Sequence, residues 1–447
     1  MTAFRFSLAR IAQALDCESN DTTPVRGVTT DSRELQKGDI FLALKGDRFD
    51  GHDFLTQVAT AGAAGAVISD PPPVGLEIPL FPVPDTLDAY QRLAHAWRKQ
   101  WSIPIIGITG SVGKTTTKEL IAAVLATQGS VHKTQKNFNN EIGVPKTLLQ
   151  IDERHDYAVI EMAMRARGEI ALLADITQPT IGLITNVGTA HIGRLGSEQA
   201  IAAAKCELLA QMPTTSVAIL NADNERLMQT ATTVWSGKTL TYGLTQGDLR
   251  GELIDAQTLQ VAGLDYPLPL PGEHNASNYL AALAVAQTVG IDISQLAGQT
   301  LRVDLPGGRS QQWPLTGDIL LLDETYNAGY ESMVAALKLL KATPGQRQIA
   351  VLGAMKELGV ASAPLHRQVG EQVEALGLDQ LVVLVDDPEA AAILEGVRTV
   401  PTLTCQNHTE LLAAVQDVMQ PGDRLLFKAS NSVGLSKIVT ALRQDNS

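Results

Sequence analysis

Residues 107 to 120 read GITGSVGKTTTKEL. Glycines, a lysine and hydroxyl side chains in this order are what a polyphosphate site needs. Backbone N–H groups of a glycine loop and of the helix start behind it attract anions. Lys114 would contact the β- and γ-phosphate oxygens, and the Thr115 hydroxyl would ligate Mg²⁺. The backbone of Gly110, Ser111, Val112, Gly113, Lys114 and Thr115 is expected to point its N–H groups at the phosphates, with Thr109 and Thr116 at the two ends of the loop. The pattern is the short G-x-x-G-K-T form, because Ile108 stands where the longer G-x-x-x-x-G-K pattern has glycine.

A phosphate loop also needs an acid at the end of a neighbouring strand to complete its metal site. DYAVIEMAM supplies Glu161. TIGLITNVGTAHIGRLGS then ends a strand at Asn186 and carries His191 into a loop, where a metal or phosphate role is open to it. Lys205, in AAAKCELL, reads from the residues alone as a solvated helix lysine.

These groups require a scaffold of strand–helix alternation. PIIGIT, YAVIEM, TIGLIT and SVAIL read as buried parallel strands, and TTKELIAAVLATQ, SEQAIAAAKCELLAQM and NASNYLAALAVAQTV have helical spacing. Before them, turn-rich short strands point to a small α/β domain, followed by a proline-rich stretch, PPPVGLEIPLFPVPD, and a connecting helix, TLDAYQRLAHAWRKQ. After LPGGRSQQW a second α/β series begins with DILLLDE, QIAVLGA, QLVVLVD and DRLLFKA, each followed by a helical segment. The expected fold is α/β in three domains: residues 1–98, a central phosphate-loop domain at 99–308, and a Rossmann-like domain at 309–447.

Composition bounds the function. The 447 residues carry a net charge of −13 and 45% hydrophobic side chains, which argues against a nucleic-acid or anionic-membrane surface while allowing several cores. Three scattered cysteines (Cys17, Cys206, Cys405) give neither a disulfide framework nor a zinc site. The start, MTAFRFSLARIAQALD, is broken by Arg5 and Arg10, and no apolar run approaches the ~20 residues that span a bilayer. A cytoplasmic protein is expected.

Taken together, TDSRELQKGDIFLALKGDRFDGHDF, GITGSVGKTTTKEL, NFNNEIGVPKTLL, TNVGTAHIGRLGSEQAIAAAKCELL, GEHNASNYLAALA and DETYNAGYESM resemble, in order and spacing, the Mur ligases of peptidoglycan synthesis. The resemblance covers nearly the whole chain and is nearest to the member that adds D-alanyl-D-alanine to UDP-N-acetylmuramoyl-tripeptide. It implies phosphoryl transfer from ATP to the substrate carboxylate and attack by an amine on the acyl phosphate; a monomer is expected, although the sequence leaves the oligomeric state open. It implies two Mg²⁺ sites, with Thr115 and Glu161 at one and His191 at the other. Lys205 matches the family's carbamylated lysine, a carboxylate in effect, which bridges toward the second metal. Lys114, Lys205, His191 and Glu161 would be the catalytic set. Asn278, supported by Asn275, matches the adenine-contacting asparagine, and Arg309 the hinge arginine that reaches phosphate. Asp323 or Glu324 would meet the ribose, with Tyr326 and Asn327 close by. Asp31, Ser32 and Arg33 would lie at the UDP end of the nucleotide substrate, and Asn139 and Asn140 in NFNNEIGVP would bind substrate.

The chain departs from the family at three places in the third domain: Glu324 replaces an aspartate in DETYNAGY, which also lacks Asn-Pro; Ala354 replaces an aspartate; Asn431 replaces an arginine. These departures bear on amine preference. They are also the support for an alternative, a nucleotide-binding paralogue without turnover. A GTPase would want Asn-Lys-x-Asp, which is absent. The relative that adds the third amino acid usually carries Asp-Asn-Pro-Arg, also absent, and folyl-polyglutamate ligases lack the TDSR…DGHDF block.

Overall fold

The computed structural model describes residues 6–46 and 48–445. Arg5, invoked above against a leader segment, lies outside them. Three sheets follow one another along the chain.

The first sheet has four strands, Val28–Thr29, Ile40–Leu42, Gly65–Ile68 and Leu80–Pro82, all parallel and in chain order. Its last strand lies inside the proline-rich stretch. An edge strand tolerates proline because one side of its backbone needs no ladder partner. The helix Thr86–Arg98 follows, capped by Asp85, whose carboxylate accepts the N–H groups of Leu87 at 2.7 Å and Asp88 at 3.1 Å. Its far end is tied into the next unit: Trp97 Nε1 donates to Ile151 O at 2.9 Å and Arg98 Nε to Thr177 O at 2.7 Å.

In the nine-stranded second sheet, Ile105–Thr109 sits between Tyr157–Glu161 and Ile181–Ile184, all three parallel. Every residue of Ile105–Thr109 is buried, as helices on both faces of a parallel sheet require. The carboxyl ends of these three strands therefore open at one place, delivering Gly110, Glu161 and Asn186 side by side. Val217–Asn221 and Lys238–Gly243 extend the sheet, and an antiparallel meander, Leu249–Asp255, Thr258–Val261 and Leu264–Pro267, finishes it. The expected helices are present as Lys114–Leu125, Glu198–Gln211 and Glu273–Thr288.

The third sheet has six strands. Ile319–Asp323 and Arg347–Leu352 both pair with Asp423–Lys428, which lies between them, so the order reverses there. Crevices at such a reversal, outside the carboxyl ends of the strands, take ligands. Gln311–Leu315 forms an antiparallel edge. The segment after Gln380–Leu384 is a 3₁₀ helix, Pro388–Gly396, in place of an α-helix. No helix of the described residues is long and apolar enough to cross a membrane.

Candidate functional site

A cavity of about 740 Å³ lies between the second and third units, and the phosphate loop forms its floor. Gly110 has to be glycine, because a Cβ there would collide with Thr185 Oγ1. Gly113, at φ 82°, adopts the left-handed conformation that lets the loop turn into helix Lys114–Leu125. The expected cradle is narrower than the sequence implies. Ser111 N–H donates to Asn186 O and Val112 N–H to Asn186 Oδ1, both at 3.0 Å, so these two are already taken by the neighbouring strand end. The first turn of the helix keeps N–H groups that have no intrahelical acceptor. Thr115 and Thr116 line the cavity; Thr109 is wholly buried beneath it.

Glu161 is 2% exposed. Its Oε1 accepts from Asn139 Nδ2 at 2.8 Å and from Thr115 Oγ1 at 3.2 Å, while Oε2 is buried without a hydrogen-bond partner. A buried anionic oxygen with no donor suits a hard cation, and the Thr115 hydroxyl beside it is a second oxygen ligand. These residues fit Mg²⁺. Behind them stands a fully buried cation that sequence reasoning missed: Lys118 Nζ donates to Thr134 O at 2.8 Å and lies 3.6 Å from Glu161 Oε2.

Lys114, Arg309, Lys356 and Lys428 line the cavity together with Glu161, Glu324, Glu331 and Glu357; Lys205 is not among the lining residues. Lys114 donates to Gly110 O at 2.7 Å, and burial holds its ammonium below the ordinary value, with Glu161 opposing and Arg309 adding to the shift. Lys205 is 1% exposed, which overturns the solvated reading. Burial, then Lys114, lowers its basicity far below that of a free lysine. Ala202, Ala204 and Cys206 pack the same helix inward, so the stretch is a core helix with no solvent face at Lys205. Arg309 stacks 3.8 Å over the Tyr326 ring, with Nε buried and unpartnered. Lys428 ends its strand by donating to Asn327 O at 2.8 Å, and burial lowers its basicity too.

His191 lines the cavity with its backbone at φ 67°. Its Nδ1 lies 2.7 Å from Glu357 Oε2, a residue of the third unit. Burial lowers the His191 pKa, Lys114 lowers it further, and Glu357 opposes them. The third unit grips the same loop again through Glu331, whose carboxylate accepts from Thr189 N–H at 2.6 Å and Thr189 Oγ1 at 3.2 Å.

Not every expected residue reaches the cavity. Asp323 is turned inward, its Oδ1 accepting from Thr325 Oγ1 at 2.6 Å and Thr325 N–H at 3.1 Å, and it is not among the lining residues. Glu324 does line the cavity, with Ser310 N–H donating to it at 3.1 Å, and burial raises its pKa. Asn278 and Asn275 line it as well, and Asn278 Oδ1 accepts from Thr117 Oγ1 at 3.1 Å, bracing the phosphate-loop helix. Asn139 lines it, whereas Asn140 Oδ1 accepts Gly143 N–H at 2.9 Å and holds the turn into the next helix. Asp31, Ser32 and Arg33 lie in the first unit, away from this cavity, and Arg33 pairs with Asp31 at 2.6 Å, holding its carboxyl at about 2. Beside them, Thr29, Thr30 and Lys146 help to line a separate polar cavity of about 530 Å³ where the first two units meet. Of the departures, Ala354 is buried and its carbonyl accepts Ser430 N–H at 3.0 Å, while Asn431 lines the main cavity.

Three family patterns match successive parts of the chain: "Mur ligase family, catalytic domain" at residues 24–98, "Mur ligase middle domain" at 108–286, and "Mur ligase, glutamate ligase domain" at 308–431. A protein of Synechocystis named UDP-N-acetylmuramoyl-tripeptide--D-alanyl-D-alanine ligase is 58% identical over 94% of this chain and 93% of its own length. The Escherichia coli protein of the same name is 36% identical over 94% of each. Among solved structures, MurF from Acinetobacter baumannii superposes with a TM-score of 0.89 at 30% identity, covering 99% of this chain and 100% of the other. MurF from Thermotoga maritima, in complex with ADP, gives 0.83 at 29% identity over 94% and 98%.

Proposed function

This chain belongs to the Mur ligase family, and we propose that it adds D-alanyl-D-alanine to UDP-N-acetylmuramoyl-tripeptide in an ATP-dependent reaction of cytoplasmic peptidoglycan precursor synthesis. The observation that carries the reading is the cavity in which Lys114, Arg309, Lys428 and His191 converge beside Glu161, whose Oε2 accepts no hydrogen bond. Cations that converge on one buried phosphate loop serve a polyanion.

A carboxylate resists amines because its charge is delocalised and oxide is a poor leaving group. Phosphorylation removes both obstacles. One carboxylate oxygen of the tripeptide attacks the γ-phosphorus, the bond to ADP oxygen breaks, and an acyl phosphate forms. The neutral dipeptide amine then attacks the acyl carbon, the carbon–oxygen bond breaks, phosphate departs, and the nitrogen loses a proton. Lys114 and Arg309 follow the charge that develops on the transferred group.

Glu161 and Thr115 would hold one Mg²⁺ and His191 a second; bound there, the ions would neutralise phosphate charge. In this reading Lys205 is carbamylated. Its burial, its lowered basicity and the absence of any hydrogen bond or ion pair to its Nζ among the described residues support the neutral amine that reaction with CO₂ requires. Asn278, Asn275, Tyr326 and Glu324 would border the adenosine, and the cavity near Asp31 and Thr29 would take the UDP end. The three units 1–98, 99–308 and 309–447 would bind UDP-substrate, ATP and amine in a monomeric enzyme. Mass spectrometry of a reaction with UDP-tripeptide, ATP and D-alanyl-D-alanine tests this: a UDP-pentapeptide is the expected product, and ATP hydrolysis without it would refute ligation.

A further inference from the structure

The dipeptide has a carboxylate at the end opposite its amine, and a carboxylate drawn into a cleft needs a cation or several donors. Most cations of the cavity are committed elsewhere. Lys114 donates to Gly110 O at 2.7 Å, Lys428 donates to Asn327 O at 2.8 Å, and Arg309 stacks over the Tyr326 ring. Lys356 lines the same cavity and makes no such contact with the phosphate loop or the hinge.

The loop that carries Lys356 is held at two points. Lys356 N–H donates to Ser430 Oγ at 2.9 Å, and Met355 N–H donates to buried His366 Nε2 at 2.8 Å. The next residue, Glu357, contacts His191, so the loop ends at the reacting side of the cavity. The Lys356 ammonium pairs with Asp387, and both side chains are partly open to water. A solvent-accessible ion pair contributes little and exchanges partners readily. Asn431, on the same wall, has a side-chain amide without a hydrogen bond among the described residues.

We propose that Lys356 anchors the carboxylate of the incoming dipeptide, exchanging Asp387 for substrate, with the Asn431 amide as a second donor. This rests on the dipeptide-ligase reading above and names the residue that recognises the amine substrate's far end.

The test compares D-alanyl-D-alanine with its C-terminal amide, which keeps the nucleophile and lacks the charge. In the wild-type enzyme the amide should have the higher KM. Lys356→Met should raise KM for the dipeptide by about tenfold or more, as loss of a charged hydrogen bond does, and should abolish the preference over the amide while leaving KM for ATP in place. Asp387→Asn removes the competing carboxylate, keeps a side chain able to cap the following helix, and should lower KM for the dipeptide. Unchanged KM in Lys356→Met, or a retained preference for the carboxylate, would overturn the anchor alone. No turnover of any D,D-dipeptide by the wild-type enzyme would overturn the functional reading and this assignment together.

Discussion

His191 Nδ1 and Glu357 Oε2 lie 2.7 Å apart although they belong to different sheets' units. The same loop is held by Arg194 Nη2, 3.1 Å from Glu357 Oε1, by Gly193 N–H, which donates to Glu357 O at 3.2 Å, and by the Thr189–Glu331 contacts. These bonds close the third unit over the phosphate loop. Replacing Glu331 and Glu357 together by alanine should therefore favour an open form. Small-angle scattering should report a larger radius of gyration, and KM for ATP should rise roughly fivefold, the sum of several part-exposed polar contacts. An unchanged radius and KM would mean that other contacts hold the closure.

Lys114→Ala removes the ammonium at the floor of the cavity. A loss of ~10²-fold or more in kcat/KM is expected for a charge that stabilises the transferred phosphoryl group. Near-normal activity would remove Lys114 from the reaction.

Lys205→Ala should fold normally, because alanines already flank it in the core helix, and should lose most activity. A small carboxylate in the buffer should restore part of it by supplying the missing anion. Wild-type rates in the variant, with no effect of added carboxylate, would make Lys205 structural.

Burial, and then Lys428, holds the His274 pKa down to about 4 from 6.5. His132 and His366 are lowered as well, chiefly by burial. Between those two pH values the unfolded chain binds more protons than the native one, so stability is present above about pH 6.5 and falls as pH drops toward 4. Urea midpoints should be lower at about pH 5 than at about pH 7.5, with a shallower dependence in His274→Gln. A midpoint independent of pH in the wild type would contradict the lowered imidazole pKa values.

The phosphate loop is legible in sequence because its glycines, lysine and threonines are contiguous and local geometry alone makes them a site. The parallel strands are legible because burial on both faces leaves uninterrupted apolar runs. Lys205 is not legible: which face of a helix is buried depends on what packs there, and an alanine-rich helix carries little amphipathic pattern. Lys428 and the Lys356–Glu357 loop are missed for another reason, since their importance comes from the third unit closing on the second. Their signal is position: Lys428 is the last residue of its strand and the Lys356–Glu357 loop follows the carboxyl end of Arg347–Leu352, both at the order reversal. Of the two acids expected near the ribose, Asp323 does not line the cavity, because Thr325, two residues on, donates to it twice and turns it inward.

The central claim is that this cavity joins a D,D-dipeptide to a UDP-linked tripeptide. Phosphate release should be measured with ATP and UDP-N-acetylmuramoyl-tripeptide in the presence of D-alanyl-D-alanine, and separately with single amino acids. In parallel, UDP-dipeptide should be offered with a free diamino acid. Release that depends on the tripeptide and the D,D-dipeptide together is the predicted result; faster release with the UDP-dipeptide and diamino acid would contradict it and assign the chain to the step before.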